Sequence, residues 1–267
     1  MVVMWDMDHP DAGQLIAQVN NSVYALCFLE ESNQLLIGHN FEGIHLVDVE
    51  SKKELRSAQI TKSAIFDIKR IGNFGIVATG DGSVVIIDLL NLSTIAKISL
   101  SDKSARSIGI NKKDNVFAVA YSDNFIRIFD LQNFSLLKEI EAHTSSVFTL
   151  TYSPDGAYLL SGGRDAHLKI WNTQEDYSLK QSIVAHMYTI NHIAYSPNEK
   201  YFATCSMDKS IKVWDAKNFK LLKVIDKSRH AGHGTSVNKL LWTNHNNQLI
   251  SCSDDRNISV WDIYINE

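Results

Sequence analysis

The sequence predicts an all-β fold built from repeated four-stranded sheets. Three segments of 14 residues, beginning at Tyr158, Tyr201 and Gln248, align without a gap, and each ends in Trp. Weaker copies of that ending come earlier in the chain, as Val47-Asp48, Ile87-Asp88 and Phe129-Asp130. From Trp5 onward the endings recur every 40 to 47 residues, close to the ~40–45 residues of repeats that each form one sheet. No segment keeps a 3.6-residue period, so we expect almost no helix.

Each repeat is expected to contain four short strands. In the fourth repeat they are predicted at residues 136–140, 147–152, 158–161 and 168–171, where apolar and polar residues alternate or β-branched and aromatic residues run together. The turn Ser153-Pro-Asp-Gly156 has Pro at its second position, which suits a tight hairpin. Such sheets, arranged radially, bury both faces against their neighbours and leave only short edges.

These repeats resemble those of the WD-repeat family, strongly from about residue 141 to 262 and more weakly before. In that family each repeat contributes the outer strand of one blade of a β-propeller and the three inner strands of the next. The resemblance therefore implies an all-β WD-repeat β-propeller that forms a single domain over residues 1–267.

The number of blades leaves two alternatives. The chain contains six complete sets of inner strands, preceded by an N-terminal partial blade: residues 2–6 look like a third strand and residues 14–19 like an outer strand. One alternative is an incomplete seven-bladed propeller whose first blade lacks its two inner strands. The other is a six-bladed propeller with a frayed start. Disorder of residues 2–6, with residues 14–19 paired to residues 260–261, would favour six blades.

Three sets of polar residues recur at fixed spacing in the C-terminal half. In each, His precedes Asp by 22 residues, a hydroxyl residue precedes the Asp by 4, and Trp follows it by 6. The sets are His143, Ser161, Asp165 and Trp171; His186, Thr204, Asp208 and Trp214; and His233, Ser251, Asp255 and Trp261. The residue types match a hydrolase triad. An enzyme needs one such site, whereas three copies at a fixed interval indicate a scaffold. The WD-repeat resemblance implies a relay of hydrogen bonds from Asp to His, to the hydroxyl, to the Trp indole. We therefore predict no catalytic residue and no enzyme activity.

The earlier repeats depart from this pattern. Asp81 and Asp123 retain the acid, but no His stands at the matching position, and Ile87 and Phe129 replace Trp. Phe41 stands where the first acid would be. We therefore expect those blades to rely on apolar packing and the N-terminal half to be the less stable half.

The resemblance also implies a partner-binding face, on the loops around the relay His and Asp. The matching positions here lie near the start of each first inner strand and just before each relay Asp. They are Tyr24, Phe66, Arg106, Phe148, Asn191 and Asn238 in the first group, and Arg164, Met207 and Asp254 in the second. Aromatic residues and Arg are typical of binding hot spots, so this mixture suits a peptide with an acidic group. The alternative is that Phe66 and Phe148 simply pack inward.

Composition excludes several other classes of function. The net charge of −4 argues against a nucleic-acid partner, and no apolar run reaches the roughly 20 residues of a membrane helix. The two His of Arg229–Gly234 have no Cys or carboxylate at a ligand-like spacing, so we predict no metal and no cofactor. Three sparse Cys suit a reduced, cytoplasmic protein.

The function predicted from the sequence is a non-catalytic scaffold that binds peptide segments of other proteins around the propeller channel. The alternative is a sensor or enzyme that binds a small molecule or metal in that channel. A single irregular cluster of acids or histidines, present in one blade only, would favour the alternative.

Overall fold

The computed structural model describes residues 1–265, which form short antiparallel strands and almost no helix. Two compact units are present, Met1–Ile108 and a second unit from Gly109 onward. Within each sheet the strands follow one another in chain order, joined by hairpin turns. The helical segments are one α-helical turn, α1 (Lys227–His230), and the 3-10 turns Glu30–Ser32, Thr173–Glu175 and His245–Asn247. None of the described helices is long and apolar enough to cross a membrane.

The first unit begins with a two-stranded sheet and continues with two four-stranded sheets. The two-stranded sheet consists of β1 (Val2–Met4) and β2 (Gln14–Ala17). The next contains β3 (Val23–Leu29), β4 (Gln34–His39), β5 (Gly43–Asp48) and β6 (Lys53–Ala58). The third contains β7 (Ile65–Ile71), β8 (Phe74–Thr79), β9 (Ser83–Asp88) and β10 (Thr94–Ser99).

The second unit contains three four-stranded sheets and a final sheet of three strands. The unit boundary falls inside β11 (Ala105–Asn111), whose sheet continues with β12 (Val116–Tyr121), β13 (Phe125–Asp130) and β14 (Leu136–Glu141). The next comprises β15 (Val147–Tyr152), β16 (Tyr158–Gly163), β17 (His167–Asn172) and β18 (Ser178–Val184). The next comprises β19 (Ile190–Tyr195), β20 (Tyr201–Ser206), β21 (Ile211–Asp215) and β22 (Leu221–Ile225). The last comprises β23 (Val237–Trp242), β24 (Leu249–Ser253) and β25 (Ile258–Trp261).

The core lies between successive sheets rather than inside any one of them. In the first unit one apolar cluster joins Ala25 and Ile44 to Ile65, Val77 and Val85 of the following sheet. In the second unit, equivalent clusters join the sheet of β11–β14 to that of β15–β18, and so on to β25. Because both faces of the middle strands are covered, β12 and β9 are apolar and buried along almost their whole length.

The predicted fold class, six complete sets of inner strands and an N-terminal partial blade, is confirmed. Residues 2–4 form β1, which pairs with β2 through Val2 opposite Ala17 and Met4 opposite Gln14. The side chains of Val2 and Ile16 are buried. The start of the chain is therefore an ordered strand pair, which is the arrangement expected for a third and an outer strand.

Candidate functional site

The three sets of His, hydroxyl, Asp and Trp each form one continuous chain of hydrogen bonds. In the sheet of β19–β22, Trp214 Nε1 donates to Thr204 Oγ1 at 2.9 Å, and Thr204 Oγ1 lies 2.8 Å from His186 Nε2. His186 Nδ1 lies 2.9 Å from Asp208 Oδ2. The same atoms meet in the other two sets, Trp171–Ser161–His143–Asp165 and Trp261–Ser251–His233–Asp255. We call these chains the relays.

The electrostatics of the relay in the β19–β22 sheet hold His186 neutral and Asp208 ionised. Burial lowers the pKa of His186, despite the opposing effect of Asp208. Burial would raise the pKa of Asp208, but the hydrogen bonds that its carboxylate accepts from His186, from Ser210 and from the backbone N–H of Met187 outweigh that effect and hold the pKa well below its usual value. The Thr204 hydroxyl accepts from Trp214 and so donates to His186 Nε2, which leaves the His186 Nδ1–H to donate to Asp208.

The relay hydroxyls are not placed to attack a substrate. The residues Ser161 and Thr204 are 0% exposed, and each hydroxyl oxygen already accepts a hydrogen bond from a Trp indole. A nucleophilic hydroxyl has to reach the substrate carbonyl, which these buried groups cannot do. The arrangement instead satisfies a buried indole N–H and a buried carboxylate with one set of bonds.

The relay Asp also ties two loops together. Asp208 accepts from the backbone N–H of Met187, in the loop before β19, at 3.0 Å. It accepts as well from the N–H of Ser210, in the turn before β21, at 2.9 Å. Asp165 and Asp255 bridge the corresponding loops of their own sheets. Each relay therefore holds together the loop before the first strand of its sheet and the turn before the third strand.

The six residues predicted to line the binding face each occupy the second position of the first strand of a sheet. At five of these positions the strand contains a β-bulge, because the pairing register shifts across Tyr24, Phe66, Phe148, Asn191 and Asn238. A bulge leaves one residue out of the ladder and re-aims its side chain. The bulged residues therefore point in directions that the regular alternation of side chains along a strand would not give them.

In the first unit the three predicted residues form a stack. The rings of Tyr24 and Phe66 are 5.6 Å apart and inclined by 19°. The guanidinium carbon of Arg106 lies 4.2 Å from the centroid of the Phe66 ring. Tyr24 is 53% exposed, whereas Phe66 and Arg106 are half-buried. Phe66 therefore packs between Tyr24 and Arg106 and is half-buried, so its binding role stays a prediction.

In the second unit, three of the six predicted residues belong to a polar network and the other three are apolar or positively charged. Asn191 donates to Ser236 Oγ at 3.0 Å, and Asn238 donates to Asp254 Oδ1 at 2.6 Å, with Ser236 bonded to Asn238. This network uses polar groups on side chains that were predicted to bind a partner. Arg164 and Met207 are exposed, and Phe148 is half-buried.

Two exposed apolar residues on the same loops were missed by the sequence analysis. Met187 is 81% exposed and Tyr188 is 58% exposed, and they lie beside Met207, which is 57% exposed. The loops are joined by bonds from Met207 N to Thr189 O at 3.0 Å and from Ser206 Oγ to Tyr188 O at 3.1 Å. The signal was present, since both residues directly follow the relay His186.

Three consecutive segments of the second unit match the family model described as WD domain, G-beta repeat: residues 134–172, 177–215 and 224–262. Each segment ends one residue after a relay Trp, so each match contains one of the relay tryptophans. The chain is a WD-repeat β-propeller.

Similar proteins share parts of this WD-repeat chain. THO complex subunit 3 of Arabidopsis thaliana is 20% identical over 178 residues, which is 65% of this chain and 55% of that protein. Periodic tryptophan protein 2 homolog of Mus musculus is 32% identical over 87 residues, or 32% of this chain and 10% of that protein. The WD-repeat chain thus spans between a tenth and about half of the length of these two relatives.

Solved structures show the same fold. A chain of the Mitotic Checkpoint Complex superposes with a TM-score of 0.78 at 20% identity, over 92% of this chain and 78% of that one. The computationally designed Ika8 protein superposes with a TM-score of 0.73 at 22% identity, over 91% of this chain and 71% of that one. At these identities the likeness is one of fold alone.

The sheets of the WD-repeat protein that lack a relay contain a different set of polar contacts. Asp81 accepts from Thr79 Oγ1 at 2.6 Å and from Thr61 Oγ1 at 3.3 Å. Asp123 pairs at 2.8 Å with the buried Arg127. These blades pack through apolar clusters as expected, and in two of them threonines or an arginine also supply donors to the retained acid.

Within residues 1–265 no three His, Cys, Asp or Glu side chains lie close enough together to hold a metal ion. The three cysteines are free thiols, with Cys205 buried and Cys27 and Cys252 half-buried.

Proposed function

We propose that this WD-repeat protein is a non-catalytic scaffold that binds extended, acidic segments of partner proteins. The binding surface is formed by the loops before the first strands of the sheets and the turns before the third strands, which we call the loop face. Its family and its relatives support a scaffold, since one relative is named as a subunit of a complex and one similar structure is a complex. The observation that carries the proposal is the stack of Tyr24, Phe66 and Arg106.

The stack has the properties of a binding hot spot. Tyr and Arg are among the residues that contribute most to protein interfaces. Tyr24 offers an exposed aromatic ring. Arg106, which stacks on the Phe66 ring, carries a positive charge with which an acidic side chain can form an ion pair. The side chains are already packed against one another, so ordering them on binding costs little entropy.

The second unit adds an apolar contact on its own loops. Met187, Tyr188 and Met207 are exposed on loops held together by backbone bonds, and Met adapts to partners of varied shape. Lys209 is exposed on the turn that also carries Met207, and Arg164 is exposed on the corresponding turn of the preceding sheet, so these turns offer positive charge. An amphipathic acidic segment fits both features. The net charge of −4 and the free thiols support a protein partner and a reducing, cytoplasmic location.

The test is selection of peptides from a random displayed library by the immobilised chain, followed by affinity measurement. We expect peptides that combine an acidic residue with an aromatic or aliphatic one, and binding that weakens as salt is raised. Phe66→Ala with Arg106→Ala should weaken binding at least about tenfold, or about 1.4 kcal/mol.

The matched control is Phe74→Ala, which removes a partly exposed ring at the start of β8, away from the stack. This variant should bind as the unchanged chain does. Equal binding by the Phe66 and Arg106 double variant would refute the proposal, as would a selection that yields basic peptides.

A further inference from the structure

A cavity of about 500 Å³ lies between two sheets of the second unit, those of β15–β18 and β19–β22. The turns that follow β15, β19 and β21 line it, so it lies at the strand ends opposite the relays. Tyr158, Tyr195 and Tyr201 contribute to its wall. Its volume is within the roughly 300–1,000 Å³ of ligand sites. Both sheets have all four strands, so the cavity does not arise from an end of the chain.

One of these tyrosines has a hydroxyl group without a partner. The Tyr195 oxygen is buried, and among the described residues it has no hydrogen-bond partner. Burial raises the pKa of Tyr195 well above its usual value, so the group is a neutral O–H that can donate and accept. Buried hydroxyl groups are nearly always bonded, because an unmade bond is costly.

The preceding sheet shows which partner a hydroxyl at this position takes. Tyr152 ends β15 as Tyr195 ends β19, and its hydroxyl oxygen lies 2.9 Å from that of Tyr177. Tyr177 lies in the turn between β17 and β18 and packs against the apolar cluster that contains Tyr152. In the turn between β21 and β22 the corresponding ring is Phe219, which has no hydroxyl and lies edge-on to Tyr158 at 5.3 Å.

The two turns also differ in length. Seven residues separate Trp171 from its strand partner Leu179, whereas six separate Trp214 from its partner Leu221. The longer turn brings a phenol to the hydroxyl at the end of β15. The shorter turn brings none to the hydroxyl at the end of β19, and the cavity lies there instead.

We propose that this cavity binds a tyrosine side chain of a partner protein, whose hydroxyl pairs with that of Tyr195. Among protein side chains only tyrosine combines an aromatic ring with a hydroxyl, which is what Tyr177 supplies to Tyr152. The rings of Tyr158 and Tyr201 offer aromatic surface to the incoming ring.

The charges around the cavity distinguish it from the loop face. Asp155, Glu199, Lys200 and Lys217 are exposed on the lining turns, two of them acidic and two basic. Binding in the cavity should therefore change little with salt, whereas acidic segments on the loop face should bind more weakly as salt is raised. The cavity does not depend on the function proposed for the loop face, so either proposal can fail alone.

The test compares two probes, N-acetyltyrosinamide and N-acetylphenylalaninamide, which differ by one hydroxyl. Titration of the full 267-residue chain, followed by ligand-detected NMR, should show saturable binding of the tyrosine probe. This probe should bind about three- to tenfold more tightly than the phenylalanine probe, since it adds one hydrogen bond.

Two variants assign that preference to the cavity. Tyr195→Phe removes only a hydroxyl that has no partner, so it should fold as the unchanged chain does and bind both probes equally. The matched control Tyr152→Phe makes the same change where the chain supplies its own phenol, and it should keep the preference. Met187→Asp, on the loop face of the same unit, should also bind the tyrosine probe as the unchanged chain does.

Three results would overturn the proposal. One is the absence of saturable binding of the tyrosine probe. Another is a preference for that probe that is missing in the unchanged chain or survives in Tyr195→Phe. The third is binding of p-cresol at least about tenfold more tightly than the tyrosine probe, which would assign the cavity to a free phenol rather than to a protein side chain.

Discussion

Replacing Thr204 with Val removes one buried oxygen from the relay of the β19–β22 sheet and keeps the shape of the side chain. The lost hydroxyl accepts from Trp214 Nε1 at 2.9 Å and lies 2.8 Å from His186 Nε2. Both of those groups would remain buried without a partner. Each stranded polar group costs about 1–3 kcal/mol, so we expect the free energy of unfolding to fall by about 2–6 kcal/mol.

Thr149 supplies a matched control in the same unit. It is 1% exposed, and among the described residues its hydroxyl has no hydrogen-bond partner. Thr149→Val therefore removes an unsatisfied buried oxygen, and we expect it to leave the free energy of unfolding unchanged or to raise it by about 1 kcal/mol. The two substitutions are chemically identical, so the difference between them reports the relay alone.

The measurement is urea unfolding followed by circular dichroism, with the slope of the transition compared between variants. A slope common to all three proteins shows that the two variants unfold to the same extent. If Thr204→Val and Thr149→Val differ by less than about 0.5 kcal/mol, the relay does not stabilise the fold in the way its geometry indicates.

Three further outcomes are expected. Because burial lowers the pKa of His143 and His186, the unfolded chain binds protons more readily, and stability should fall as the pH drops below about 6.5. His143→Gln with His186→Gln should flatten that decline by up to about 1.4 kcal/mol per pH unit for each His, and an unchanged slope in pH-dependent urea midpoints would contradict the assignment. Amide exchange should be at least about tenfold faster in the first unit than in residues 141–262, which contain the relays, and slower exchange there would show that the threonine contacts replace a relay fully. Arg127→Met should lower the free energy of unfolding by about 3 kcal/mol, since it leaves a largely buried carboxylate without its partner, and a loss below about 0.5 kcal/mol in urea would argue that the ion pair is dispensable.

The strands of the relay-containing repeats could be predicted because their apolar pattern is strong. The predicted segments 147–152 and 168–171 compare with Val147–Tyr152 and His167–Asn172 in the structure. The relay atoms meet because the spacing of 22, 4 and 6 residues, read through antiparallel register, places the side chains side by side. Local pattern and register were sufficient for both features.

The bulges and the substitute polar contacts could not be predicted in the same way. A bulge adds one residue to one strand and leaves no mark in the composition. Tyr24 and Phe66 could therefore be assigned to a face, but the directions of their side chains could not be predicted. The contact between Arg127 and Asp123 pairs a retained relay acid with an Arg that no other repeat has at the matching position. Only the coordinates of neighbouring strands reveal such a replacement.

In the β19–β22 sheet the relay acid joins the buried frame to a loop that we propose to bind partners. The His side of Asp208 leads inward to Thr204 and Trp214, where every bond is buried and contributes to folding. The other side accepts from the N–H of Met187, whose side chain is open to solvent. A buried hydrogen-bonded chain thus ends on the loop that presents an apolar contact. On the proposed function, sequence change in that loop would alter the partner while the relay behind it keeps the strands in place.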